Sequence, residues 1–280
     1  LDFGNMLENN STYYWRVRGY RDENIGAWST IWQFTTGTMV NIYTYSFFEE
    51  EEEYAEFSDG TPTNITNDDQ LANFSLPFTF YYAGSEFNDL TIRTNGWIAL
   101  GTTTQNIWDS GLSFPEYPGF ISPFWEDFAL MPSNSNITVK VEGDAPYRAY
   151  AIQYKNVTAS GQSTGNINFQ LRFYETTNII TFNYGPMEEF PGTYWGAGIG
   201  MNGLYGGVMD FISVTPTFPA GISSIEPNNN IQPDLFVNLP GRKFVFTPNT
   251  GTLLEPPVLV NPENGSIDVS VNPQLSWEAV

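Results

Sequence analysis

The sequence predicts an all-β fold, with a central, jelly-roll-like β-sandwich between two shorter strand-rich ends. Three observations predict it. Aromatic residues make up 16% of the 280-residue chain, against 15% for all charged residues together, and Tyr, Phe, Trp and Thr suit a pleated, half-buried surface. Strand-type runs follow one another closely, with Gly, Pro and Asn between them. No segment sustains a 3.6-residue apolar period, so neither a helical bundle nor alternating strand–helix units fit.

The centre is organised around residues 91–101, TIRTNGWIALG. Asn95-Gly96 between two strand-type runs predicts a hairpin with a type I′ turn, whose two central residues both take positive φ. Asn95 and Gly96 are therefore structural candidates, and Ile92, Trp97, Ile98 and Leu100 are candidate core residues. A second anchor, ISPFWEDF at 121–128, sets Trp125 beside Glu126 and Asp127. Trp125, Asp127 and Arg148 read as structural. Arg148 is one of only 10 basic residues, and it is expected to bridge Asp127 or Glu126 and so tie a loop to the sheet.

In chain order, strands are expected at 12–18, 28–35, 76–82, 89–94, 97–100, 137–142, 148–156, 166–175, 179–184, 195–201, 207–211 and 242–247. Asn168, Gln170, Arg172 and Tyr174 alternate with Phe169, Leu171 and Phe173, which predicts a strand with one buried and one wet face. Gly196, Gly198 and Gly200 fall on one face of their strand, where glycine lets another backbone or a large ring come close. Glu49 to Glu53 are five consecutive carboxylates. They read as a solvated surface strand or linker, because adjacent like charges repel, with a cation site as the alternative.

Composition removes whole classes of function. The formal charge is −21, from 10 basic and 31 acidic residues. Such a chain repels polyanions, so nucleic acid and anionic membrane surfaces are not expected partners. No run approaches the roughly 18 apolar residues of a membrane span, so membrane insertion is not expected. Cys and His are absent, which excludes Cys nucleophiles, Ser-His-Asp triads and the usual zinc sites. A glycosidase would need two carboxylates on facing elements. Glu126 and Asp127 are adjacent and point to opposite faces of a strand, so no enzyme activity is expected. The one cofactor the composition invites is Ca²⁺. Asn67, Asp68 and Asp69 offer side-chain oxygens for it, without the spacing of an EF-hand loop. Trp108, Tyr117, Tyr194, Trp195 and Tyr205 lie in loop-like or Gly-rich surroundings and are candidates for stacking on a sugar ring.

Two resemblances refine this reading. Leu7, Asn9 or Asn10 and the run TYYWRVR at 12–18, followed by GAWS and WQFTT, resemble the C-terminal half of a bacterial fibronectin type III domain. PPVLVNPENGSIDVSVNPQLSWEAV at 256–280 resembles the N-terminal half of the same type. The implied organisation is 1–37 and 253–280 as partial Ig-like sandwiches flanking a large sandwich module at 38–252, inside a longer polypeptide. In that family the Tyr near Tyr14 packs into the core. Between the ends, LPFTFYY, TNGWIALG, ISPFWED, GDAPYRAYAIQYKN and FQLRFYETTNIITFNYG occur in that order over 76–185. The series resembles the nidogen-like β-rich modules of large bacterial surface and secreted proteins, many exported by the type IX route. The resemblance implies an extracellular, cell-surface structural or adhesive role. Its implied partners are other copies of the chain or neighbouring repeats, with surface glycans as an alternative. It also raises a filament reading, in which Lys140 or Lys155 would form a covalent link to an Asn.

Overall fold

The computed structural model describes residues 11–21, 24–35, 42, 45–104, 112, 118–130, 133–161, 166–187, 196–205, 210–226, 229–248, 259–261 and 276–277. The chain separates into two compact units, Leu1–Pro248 and Asn249–Val280. β1 (Thr12–Trp15), β2 (Arg18–Arg21), β3 (Asn24–Trp28) and β4 (Trp32–Thr35) form two short antiparallel ladders, β1 with β4 and β2 with β3. Tyr14 is 67% exposed, so the core packing implied by its family position is not found among the described residues.

The main body is two antiparallel sheets face to face. In the first, β7 (Leu71–Tyr82), β8 (Ser85–Arg93), β9 (Ile98–Leu100) and β10 (Phe120–Trp125) run as a meander, and β16 (Gly198–Asn202), β17 (Phe211–Val214) and β18 (Ile222–Ser223) continue from β10. The second holds another meander, β12 (Asn136–Glu142), β13 (Ala149–Ala159), β14 (Ile167–Tyr174) and β15 (Ile180–Tyr184). It is closed on one side by β19 (Arg242–Thr247) and β5 (Ser46–Glu51) and on the other by β6 (Thr61–Pro62), while β11 (Phe128–Ala129) also pairs with β13. β20 (Leu259–Asn261) pairs with β21 (Ser276–Trp277) in the C-terminal unit. Of the predicted strand at 207–211, residues 207–209 lie outside the described residues and Phe211 opens β17, and the one at 76–82 begins earlier, at Leu71.

The core follows from period-two alternation carried in register across neighbouring strands. Tyr154 lies opposite Phe169, and Phe169 opposite Tyr184; Ile152, Leu171 and Phe182 form the next row. These residues are fully buried. Tyr154 and Phe169 stack at 4.4 Å, and Phe80 of the facing sheet meets Phe173 edge-on at 5.0 Å. Two tyrosine hydroxyls cross the core: Tyr154 donates to the Arg93 carbonyl, and Tyr184 to the Pro123 carbonyl at 2.7 Å. A buried Tyr needs such a partner.

β14 does not have the wet face expected of it. Asn168 and Gln170 are buried along with Phe169 and Leu171. The cover is the segment after β5, residues 52–57, which runs over the outside of the sheet. Gln153 brackets Phe57 there, accepting from its N–H and donating to its C=O, both at 3.0 Å. Gln170 donates to the Ala55 carbonyl at 2.9 Å, and Asn183 to Glu52 at 2.6 Å. Each of the three lysines reaches a carboxylate: Lys155 pairs with Glu56 of this strap, Lys243 with Glu50 of β5 and Glu52 of the strap, and Lys140 with Asp59 just beyond it. Glu49 pairs with Arg242 and accepts from the Ala220 N–H. The acidic run is thus a surface strand, β5, that continues into the strap, with Glu51, Glu52 and Glu53 exposed as the solvated reading expected. Three of its five charges meet cations distant in sequence, Glu49 at Arg242 and both Glu50 and Glu52 at Lys243. Lys140 and Lys155 meet carboxylates, not the Asn that the filament cross-link requires.

Arg148 is placed differently from its expected bridge to Asp127 or Glu126. Ala149 pairs with Tyr174, which sets Arg148 opposite Glu175. The guanidinium makes two bonds to that carboxylate, Nε to Oε2 at 2.8 Å and Nη2 to Oε1 at 2.7 Å. It also lies 5.5 Å from the Phe78 ring of the other sheet. The bidentate Arg148 bond holds the Glu175 carboxyl below its usual range. A depressed carboxyl contributes stability that is present above its unfolded value and lost as pH falls. Arg148→Ala is therefore expected to lower the melting temperature by a few degrees at pH 7. The gap should shrink once pH drops below the ordinary Glu range, as read by calorimetry at pH 7 and pH 3.5. An unchanged gap would assign the loss to the Phe78 contact.

Candidate functional site

At one end of the sandwich four segments converge: the loop 66–70, the turn between β8 and β9, the bend after β10, and the turn after β13. The β8–β9 turn is not type I′. Gly96 has φ +74°, Asn95 is not in the positive-φ region, and Arg93 N–H bonds to the Trp97 carbonyl. The loop is three residues long, Thr94, Asn95 and Gly96, with glycine in the left-handed position that such hairpins use. Thr94 explains the change. Its Oγ1 donates to the Asn67 carbonyl at 2.9 Å and accepts from Gln70 N–H at 3.1 Å, which stitches the turn to the 66–70 loop. Gln70 in turn gathers the N–H groups of Thr66 and Asn67 on its Oε1.

This stitching fixes Asp68 and Asp69. Asp69 has φ +55°. Its Oδ1 accepts from the Asn95 amide at 3.3 Å and lies 3.9 Å from Arg93 Nη2. Asp68 Oδ2 accepts from the Ser160 hydroxyl at 2.8 Å, and Ser160 N–H bonds to the Asp127 carbonyl at 2.7 Å. Glu126 N–H bonds to the Asn95 carbonyl. One carboxylate oxygen each from Asp68, Asp69 and Asp127 lies within 4.8 Å of the others. Desolvation first, and then the charges of Asp68 and Asp69, raise the Asp127 carboxyl above its ordinary range. Burial pushes the neighbouring Glu126 carboxyl up to about 7, opposed by its bond from the Asp127 N–H.

Of the residues singled out from sequence, Asp68 and Asp69 fall in this cluster. Asn67 contributes its backbone carbonyl to Thr94, and its side-chain amide lies 3.5 Å from Thr66 Oγ1. Asp127 joins the cluster although its sequence context suggested only a structural part. Ser160 and the side chain of Asn95 were not expected there. The spacing from 69 to 127 carries no local signal; the pairing of β10 with β9 and of β11 with β13 brings the bend to the loop. Trp125 is 4% exposed in a second apolar cluster with Trp97 and Phe120. Trp108, Tyr117, Tyr194 and Trp195 lie outside the described residues. Tyr205 is 45% exposed, and its N–H bonds to Asp210.

The main body is thus a two-sheet antiparallel β-sandwich with a filled core and a polar loop cluster at one end. The family model described as NIDO related matches residues 44–248, and the chain belongs to that family. No curated protein and no solved structure matches the chain. Among the described residues no helix is long and apolar enough to cross a membrane.

Proposed function

We propose that this chain is a non-enzymatic structural or adhesive module of a large extracellular bacterial protein or surface fibre. Membership of the NIDO-related family supports an extracellular structural role. The observation that carries the reading further is the aromatic surface of the N-terminal strands. Tyr14, Trp15, Trp28 and Trp32 are 67%, 47%, 46% and 60% exposed, and Trp15 lies 5.8 Å from Trp32. A monomer in water gains nothing by presenting such a surface, and its ordinary use is contact with another protein. The resemblance of 256–280 to the complementary half of a fibronectin type III domain names the kind of occupant: such a half-domain, from a neighbouring repeat or from a second copy, the latter being the fibre reading.

The reading predicts reversible self-association. At about 100 μM, sedimentation should show multimers of the full chain. The double replacement Trp15→Ser/Trp32→Ser should weaken association at least tenfold while leaving the melting of the sandwich unchanged. A wild-type chain that stays monomeric at that concentration would remove the fibre reading. Carbohydrate binding is the less favoured alternative; of its five candidate rings, Tyr205 is the one within the described residues.

A further inference from the structure

We infer that Asp68, Asp69 and Asp127, with the side-chain amide of Asn95, form a binding site for a hard divalent cation, for which Ca²⁺ is the best fit. Two oxygens bound to Ca²⁺ at about 2.4 Å can be no more than about 4.8 Å apart, and the three carboxylate oxygens all meet that limit.

Proximity of acids is not enough by itself, and the Asn95 side chain supplies an independent observation. Asn95 is 2% exposed, and its Oδ1 has no hydrogen-bond partner. A buried carbonyl oxygen without a partner is costly. Yet the amide sits at the cluster, with Nδ2 3.3 Å from Asp69 Oδ1. The two ends of an amide exchange places on a half turn. That turn puts Oδ1 beside Asp69 Oδ1 at a separation suited to two ligands sharing one ion. The oxygen then gains the cation as its partner, and the NH₂ group takes the buried position that Oδ1 held. Three carboxylates and an amide oxygen form an all-oxygen donor set for Ca²⁺, and exposed Asp68 and Asp127 leave room for water to complete six to eight ligands.

The ion would do structural work. Asp68 and Asp69 belong to the loop before β7, Asn95 to the β8–β9 turn in the first sheet, and Asp127 to the bend between β10 and β11, where the chain passes to the second sheet. One cation would clamp these loops together and neutralise charges that otherwise repel. This inference does not depend on self-association, and the two fail separately.

The test uses the full chain stripped with EDTA. Calorimetric titration with CaCl₂ should show one site, with a dissociation constant between roughly 1 μM and 1 mM. At 1 mM Ca²⁺ the melting temperature should rise by several degrees, because an ion that binds only the folded state stabilises it. Asp127→Asn should weaken binding at least tenfold. Glu86→Gln, seven residues before Arg93 on β8 and so about 23 Å along the strand, should leave it unchanged. Asn95→Asp separates a ligand from a mere structural amide. It should lower the melting temperature in EDTA, by adding a fourth charge, and tighten Ca²⁺ binding by at least threefold. Absence of binding by the wild type at 5 mM Ca²⁺ would overturn the site. So would equal affinity in Asp127→Asn, which would mean that ions gather diffusely on an acidic surface.

Discussion

Gly96→Ala is expected to cost about 3–5 kcal/mol of stability, among the largest losses any single methyl group can cause in this chain. A Cβ at this position would lie 1.9 Å from the Phe124 carbonyl oxygen and 3.0 Å from the Phe128 ring, with φ at +74°. The left-handed backbone alone costs an alanine roughly 1–2 kcal/mol. The remainder comes from pushing the β8–β9 turn off β10, which no rotamer can relieve because the obstacle is backbone. At this size 1 kcal/mol moves melting by about 2–4 °C, so a fall of roughly 8–15 °C is expected by calorimetry. Gly101→Ala is the control. Its φ is +80°, and nothing lies within 4 Å of the added Cβ, so only the conformational cost of about 1–2 kcal/mol should appear. Equal losses in the two variants would show that the close approach to Phe124 carries no energy.

That turn also shows how far local sequence reaches. Asn-Gly located the hairpin, and Ile92, Trp97, Ile98 and Leu100 are buried as their alternation implied. The turn type was not legible, because Thr94 is captured by Asn67 and Gln70 from a different loop. The same limit applies to charge. Read locally, Glu49 to Glu53 can only repel one another. In the fold, Arg242 and Lys243 stand opposite Glu51 and Glu50 across β5 and β19, partners almost 200 residues away. Arg148 and Glu175 are an intermediate case. Two successive strand-type runs that pair antiparallel place their outer ends together, and extending that pairing by one residue would have found the bridge. The proposed cation site had two of its three acids, Asp68 and Asp69, adjacent in the sequence, while Asp127 depended on a strand crossing between sheets that no spacing rule encodes.

The buried amides under the strap test which of these long-range contacts hold the second sheet's cover in place. Gln153 is 1% exposed and serves three bonds, two to the Phe57 backbone and one from Gln170 at 2.7 Å. Gln153→Leu keeps most of the volume and removes all three. The Phe57 N–H and C=O lose these partners, at about 1–3 kcal/mol for each unsatisfied group. A loss of about 3 kcal/mol is expected, with a melting fall of roughly 6–12 °C. Lys155→Met removes the ion pair to Glu56, whose two side chains are 30% and 39% exposed, and should cost no more than about 1 kcal/mol. The ordering follows from burial. A half-exposed ion pair exchanges one set of solvating groups for another, whereas an amide abandoned under the strap has no water to turn to. Hydrogen exchange separates global from local effects. In Gln153→Leu the Phe57 amide should exchange faster by more than the global stability loss accounts for, as the strap lifts to recover water. If Phe57 stays protected while Lys155→Met opens the segment, the strap is held by its charges, and the acidic run is the element that closes this face of the sandwich.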